Sequence, residues 1–395
     1  MSAALNRTRL NGALFGCFIL GTTVSGLQII ASHLQHPILP TLLFGIAIAV
    51  GFYWLLFCDT PSILLRSLSS PILWLTILTL MAAVDVLHFS RTKDSPNPLS
   101  SAPALTLPAN VLLAGHEPYS VHLIGDAPIS PGPGWIILTS PLCGWSSIGI
   151  LDALGLALAA LALHQLTRLG AGIFVLACLV NPMFLSQAAN GQDLYVISLA
   201  FVALNCLAFT AESTAGLFWI AILSGFVATS RVPMVILLCV TTLGLWRQRR
   251  IRGIVYGLTS LFTAIGLHAG FWFWALRNGD RYQPLHVFGI ATRGAGGHTA
   301  SVLSAILFLI GCAWVLRAVN TSLRTWLIGS WVIMICLFVP VGLKEFYVSH
   351  FNLAWEGDNY VSFALPLLAA SLALGIMHPT PQRSETCNLT APVPE

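Results

Sequence analysis

Long apolar runs, each close to the ~20 residues that cross a bilayer, follow one another along most of the chain and leave little choice of fold. In hydrocarbon every backbone amide and carbonyl needs an internal partner, so such runs form helices. The first, from about Asn11 to Ser32, follows Arg7 and Arg9 and has no small-x-small cleavage site, so it is expected to be an uncleaved membrane helix. Further helices are expected at about Ile38–Phe57, Pro71–Leu87, Ile148–Leu166, Ala171–Leu185, Leu194–Phe209 and Ala215–Ala228. The remainder fall at about Val232–Trp246, Gly253–Leu276, Ala300–Leu316, Thr325–Val341 and Tyr360–Ile376. The expectation is an all-α polytopic membrane protein of about twelve transmembrane helices in one domain. That domain covers 1–377, includes an outer loop at 88–147, and precedes a cytoplasmic tail at 378–395.

Composition agrees. Charged residues make up 8% of the chain and the mean hydropathy is +0.83, whereas soluble domains carry about 25% charged residues. A net charge of +4 from scattered residues excludes a nucleic-acid-binding class. The nine cysteines show neither CxxC nor metal-ligand spacing and read as small buried hydrophobes.

Basic residues set the expected orientation. Arg7 and Arg9 place the N-terminus in the cytoplasm, and the same side receives Arg66, Arg168, Arg247, Arg249, Arg250, Arg252, Arg317, Arg324 and Arg383. The outer side collects Asp85, Asp94, Glu117, Asp126, Asp193, Asp280, Glu345, Glu356 and Asp358. This describes a multi-pass protein of a cell inner membrane, with both termini cytoplasmic.

Chemistry therefore concentrates on one face. Asp85 is placed at the outer end of the third helix. Beyond it run His116-Glu117-Pro118-Tyr119 and Pro131-Gly-Pro-Gly-Trp135, the latter opening an apolar segment to Pro141 too short to span, expected to dip into or lie on the membrane. Pro108 to Gly115 is expected to form a short interfacial helix, with proline at its start and glycine at its end. Three more polar sites share the face: Asn190-Gly-Gln192-Asp193, the loop Arg277–Thr299, and Lys344–Asp358.

In this order, Asp85, Leu-Leu-Ala-Gly-His116-Glu117-Pro-Tyr119, Pro-Gly-Trp135-Ile-Ile-Leu-Thr-Ser-Pro, Asn-Pro182, Gly-Gln192-Asp193 and Ala-Thr-Ser-Arg231-Val-Pro resemble the GT-C superfamily of integral-membrane glycosyltransferases. The likeness is to its polyprenyl-phosphate-mannose-using branch and covers roughly residues 80 to 370. The resemblance implies an inverting hexosyltransferase of the cell envelope, acting on the outer face. It would move a monosaccharide, mannose in that branch, from a polyprenyl-phosphate donor to a glycan or glycolipid acceptor. The first acid follows the third helix instead of the first, and no Asp-x-Asp accompanies it. No cofactor is firmly implied, and a divalent metal stays open.

The residues support this chemistry independently. A sugar phosphate already has a good leaving group, so transfer needs a carboxylate to take the acceptor proton and cations to stabilise the departing phosphate. Asp85 is the expected base. Arg231, Arg293, His298 and Lys344 are the expected phosphate ligands, each also readable as an interfacial cation. His116, Glu117, Tyr119, Gln192, Asp193, Trp355 and Glu356 are candidates for sugar or acceptor binding. Asp193 is equally readable as a helix cap, and Tyr119 and Trp355 as membrane-interface aromatics. The rival classes are a secondary transporter, which should carry midplane polar groups and broken helices, and a non-catalytic envelope-assembly protein.

Overall fold

The computed structural model describes residues 2–58, 62–92, 102–123, 129–142, 144, 147–231, 234–285, 297–317, 322–350, 352 and 363–375. Among them the regular elements are all helical, and no strand forms. In chain order they are α1 (Ser2–Ala31), α2 (Ile38–Phe57), α3 (Ser62–Leu68), α4 (Pro71–Thr92), α5 (Ala102–Leu113) and α6 (Pro133–Thr139). There follow α7 (Leu151–His164), α8 (Arg168–Leu179), α9 (Pro182–Asn190), α10 (Leu194–Thr210) and α11 (Thr214–Ala228). The last are α12 (Met234–Gln248), α13 (Arg250–Asn278), α14 (Gly297–Arg317), α15 (Leu323–Val348) and α16 (Leu365–Gly375).

Six of the described helices are long and apolar enough to cross a membrane, or seven if the bent pair α8–α9 is one span. They make the chain a multi-pass membrane protein, with the expected count of about twelve not reached by length and composition. The difference lies in the shorter apolar helices, among them α10, α11, α12 and α16. Every residue of α16 from Leu365 to Leu374 is buried, and α10 is nearly as enclosed. A helix apolar all round is one that is covered all round, and hydropathy cannot tell protein from lipid as the cover. By contrast α2 and α13 present large apolar side chains outward, such as Leu39 and Phe262.

Four expected boundaries move. The expected outer loop from 88 begins as helix, so α4 continues past Leu87 to Thr92 and Asp85 lies seven residues inside its end, roughly 10 Å by helical rise. Pro108 does not start a helix; it sits inside α5, and Gly115 with φ 81° follows its end. The expected helix Ala171–Leu185 breaks at Asn181-Pro182, where α8 and α9 meet at 69°. Lys344 and Glu345 belong to α15, which runs on to Val348 through Pro340.

α7, α8, α10 and α16 pack together at the centre, with α1 and α15 against α16. The two ends of this bundle differ in charge. At one end Arg252 donates from Nη2 to the Ala208 carbonyl at 2.6 Å, Arg247 to that of Leu316, and Arg324 from Nε to that of Ser371 at 3.0 Å. Carbonyls near the C-terminal end of a helix lack intrahelical partners and carry partial negative charge, so cations there satisfy both needs. The opposite end holds Asp85, Glu117, Asp152 and Asp193.

Candidate active site at the acidic end of the bundle

Asp193 is the hub, and a local cap exchange frees it. Asn181 accepts from the Met183 amide at 2.9 Å and starts α9 behind the bend. α9 ends on Gly191 at φ 64°, where a side chain would also strike Ala102 and Phe89. The returning chain brings the Tyr195 amide to Gln187 Oε1 at 3.0 Å. Gln187 thus satisfies the start of α10, and Asp193, in the N-cap position, makes no capping bond. Its carboxylate instead accepts from Trp135 Nε1 at 2.7 Å and from Arg231 Nη2 at 2.9 Å. The ion pair is largely enclosed, with side-chain exposures of 7% for Asp193 and 13% for Arg231. Gln187→Leu should leave the buried Tyr195 amide without its partner and cost about 1–3 kcal/mol in thermal unfolding of the solubilised protein. The capping role expected of Asp193 belongs to Gln187.

Trp135 reaches Asp193 because of the glycines before it. A Cβ on Gly132 would lie 1.8 Å from the Thr229 carbonyl oxygen, and one on Gly134 would lie 2.8 Å from Phe226 Cα. Only bare backbone lets α6 approach the end of α11 so closely. The Trp135 amide then donates to Thr229 Oγ1 at 3.1 Å. The Pro-Gly-Pro-Gly-Trp and Ala-Thr-Ser-Arg sequences are two halves of one contact, and α6 is a buried helix within it.

Asp85 is reached through a third close approach. A Cβ on Gly149 would lie 2.7 Å from the Asp85 carbonyl carbon and 2.9 Å from its Cβ. This seats the start of α7 on α4 and brings Asp152 into the field of both Asp85 and Asp193. Asp152 is 1% exposed, and its Oδ1 and Asp85 Oδ2 are buried with no hydrogen-bond partner among the described residues. Buried polar atoms are nearly always paired, which sets these two carboxylate oxygens apart from the hydrogen-bonded Asp193 beside them.

Glu117 closes the cluster. It is buried, while neighbouring His116 is exposed. Burial pushes the Glu117 carboxyl above the ordinary carboxylate range, the Asp280 charge adds to the rise, and the Tyr119 and Ser120 amides offset part of it. Tyr119 donates to the Pro131 carbonyl at 3.1 Å and packs edge-on against Tyr282, centroids 5.0 Å apart. Gln283 donates to the Tyr119 carbonyl at 2.8 Å and accepts from the Ile129 amide at 2.6 Å, pinning both sides of the loop that carries Glu117. A carboxyl whose folded pKa is raised takes up protons on folding, so its burial lowers stability as pH rises from the ordinary carboxylate range through the raised value. Glu117→Gln should remove that loss, giving a protein more heat-stable than the parent at neutral pH and no different at pH below about 4.

No family model, curated protein or solved structure matches the chain.

The structure brings Asp85, Glu117, Tyr119, Asp193 and Arg231 to one end of the bundle, and Gln192 is half-buried in the turn before Asp193. Tyr119 is 1% exposed and serves the packing of the loop, so its ring presents no open face for a sugar. His298 lies in the first turn of α14 and Lys344 in α15 by backbone position. Arg293, Trp355 and Glu356 fall outside the described residues. Among the described residues no three His, Cys, Asp or Glu side chains are grouped to hold a metal ion. Asp152 was legible as an acid inside an apolar run, a position that is costly without a purpose. Trp135 had only its motif. Gln283 had no sequence signal, because its partner Tyr119 is 164 residues away.

Proposed function

We propose that the chain is an inverting glycosyltransferase of GT-C type. On this proposal it transfers a monosaccharide, mannose in the branch it resembles, from a polyprenyl phosphate to a glycan or glycolipid at the outer face of a cell inner membrane. The observation that carries the proposal is the buried, unpartnered Oδ2 of Asp85 beside Asp152 and the Trp135–Asp193–Arg231 assembly.

In this mechanism Asp85 takes the proton of the acceptor hydroxyl as its oxygen attacks the anomeric carbon. The bond from that carbon to the phosphate oxygen breaks on the opposite side, and the polyprenyl phosphate leaves with the electron pair. A guanidinium has five N–H donors. Arg231 uses Nη1 on the Ser230 carbonyl at 2.8 Å and Nη2 on Asp193, which fixes its plane and leaves further donors for phosphate oxygens. Arg293, His298 and Lys344 are further proposed phosphate ligands, and Glu117 with Gln192 would meet sugar or acceptor hydroxyls.

The test is transfer of labelled sugar from a polyprenyl-phosphate donor to membrane glycolipids by reconstituted protein. A labelled glycolipid that depends on Asp85 supports the enzyme. Accumulation of unmodified solute inside sealed vesicles, with no new covalent product, supports a secondary transporter. That alternative is favoured by one observation, the 69° break between α8 and α9, since broken helices line transporter sites. Neither activity would leave a non-catalytic envelope-assembly role.

A further inference from the structure

The arginine end of the bundle carries a second, differently built site. A polar cavity of about 100 Å³ lies between the turn joining α10 to α11 and the turn joining α12 to α13, lined by Glu212, Arg249 and Arg252 among others. An apolar groove of about 550 Å³ starts at the same place and runs between α11 and α13 past Phe218, Trp219 and Leu258. Thr214 and Val255 line both, so cavity and groove are continuous.

The two guanidinium groups lie within each other's field. Glu212 is the one acid among the described lining residues, which leaves the cavity net positive. Arg252 also donates to the Ala208 carbonyl, and Ser213 Oγ accepts from the Gly216 amide at 3.0 Å, so both side chains are held in place. Along the groove the apolar side chains are open, Trp219 at 65% and Leu258 at 51% exposure. A cationic cup at the helix ends, continuous with an apolar channel along the helix sides, matches a molecule with an anionic head and a long chain. Basic residues near a membrane surface attract anionic headgroups.

We propose that this cavity and groove together bind one anionic phospholipid, its phosphate against Arg249 and Arg252 and an acyl chain along Phe218 and Trp219. The bound lipid bridges the α10–α11 and α12–α13 turns at the end of the bundle away from the acids, and so is independent of the proposed transfer reaction.

Trp219 reports occupancy directly. The full chain is reconstituted in phosphatidylcholine vesicles containing increasing amounts of phosphatidylglycerol or phosphatidylcholine with brominated acyl chains. The Trp219 share of fluorescence is the difference between parent and Trp219→Phe. Each arginine near an anionic headgroup favours it by about fivefold. Half-maximal quenching should therefore need about 25-fold less brominated phosphatidylglycerol than phosphatidylcholine. Arg249→Gln should raise that midpoint by about fivefold. Arg252→Lys, which keeps the charge, should leave it within about twofold.

Equal midpoints for the two lipids would mean ordinary surrounding lipid and overturn the proposal, as would a preference unchanged in Arg249→Gln. Loss of the preference when about 10 mM inorganic phosphate is added would assign the cup to a free anion and overturn the lipid assignment.

Discussion

Asp85→Asn should abolish sugar transfer, by about 10²–10⁴-fold in rate, while protein abundance and thermal stability change little. The substitution keeps the size of a side chain whose Oδ2 has no partner to lose. What it removes is the lone pair that accepts the acceptor's proton. The measurement is label incorporated into glycolipid at matched amounts of parent and variant. Undiminished transfer would move the base to Glu117 or to Asp152, the other buried carboxyl groups of this end. A variant that retains transfer but unfolds early would make Asp85 a structural residue.

Asp193→Ala should have the largest effect on stability, about 3–5 kcal/mol, because it leaves Arg231 enclosed without its counter-charge. The Trp135 indole N–H loses its acceptor in the same step. Three chain segments meet at this carboxylate: α6 through Trp135, the start of α10, and the junction of α11 with α12 through Arg231. Replacing both members of the pair with apolar groups, Asp193→Leu with Arg231→Met, should recover most of the loss, since the enclosed charge is then gone. Thermal unfolding in detergent, followed by tryptophan fluorescence, measures both. A cost below about 1 kcal/mol for Asp193→Ala would mean that water reaches the pair and screens it. The double variant should remain inactive in transfer even though it is folded, because Arg231 is also the proposed phosphate ligand.

The candidate site was only partly legible in the sequence, and particular residues show why. Asp85, Asp193 and Arg231 stood out because a charge within or beside an apolar run is costly unless it is paired or used. The same rule applies to Asp152, in the first turn of α7, which the sequence reading passed over. It could not say that Asp193 and Arg231 would pair across 38 residues, and so it gave them separate roles. Nor could it assign the cap of α10, since Asp193 and Gln187 both carry a suitable oxygen and only the tight turn through Gly191 decides which one reaches the amide. The glycines of the Pro-Gly-Pro-Gly-Trp segment looked like turn residues. Their purpose is close approach to α11, visible only where a Cβ would meet the Thr229 carbonyl.

The class of the molecule followed from the sequence alone: a helical membrane protein with most of its arginines grouped toward one end and most of its acids toward the other. The physical reason is that backbone hydrogen bonding in lipid and the cost of burying charge act on each segment alone. Tertiary structure decided which apolar helices meet lipid and which, like α16, are enclosed by protein. It also decided which polar atoms are satisfied and which stay open. Those outcomes depend on contacts between segments far apart in the chain, brought together where Gly132, Gly134 and Gly149 let backbones touch.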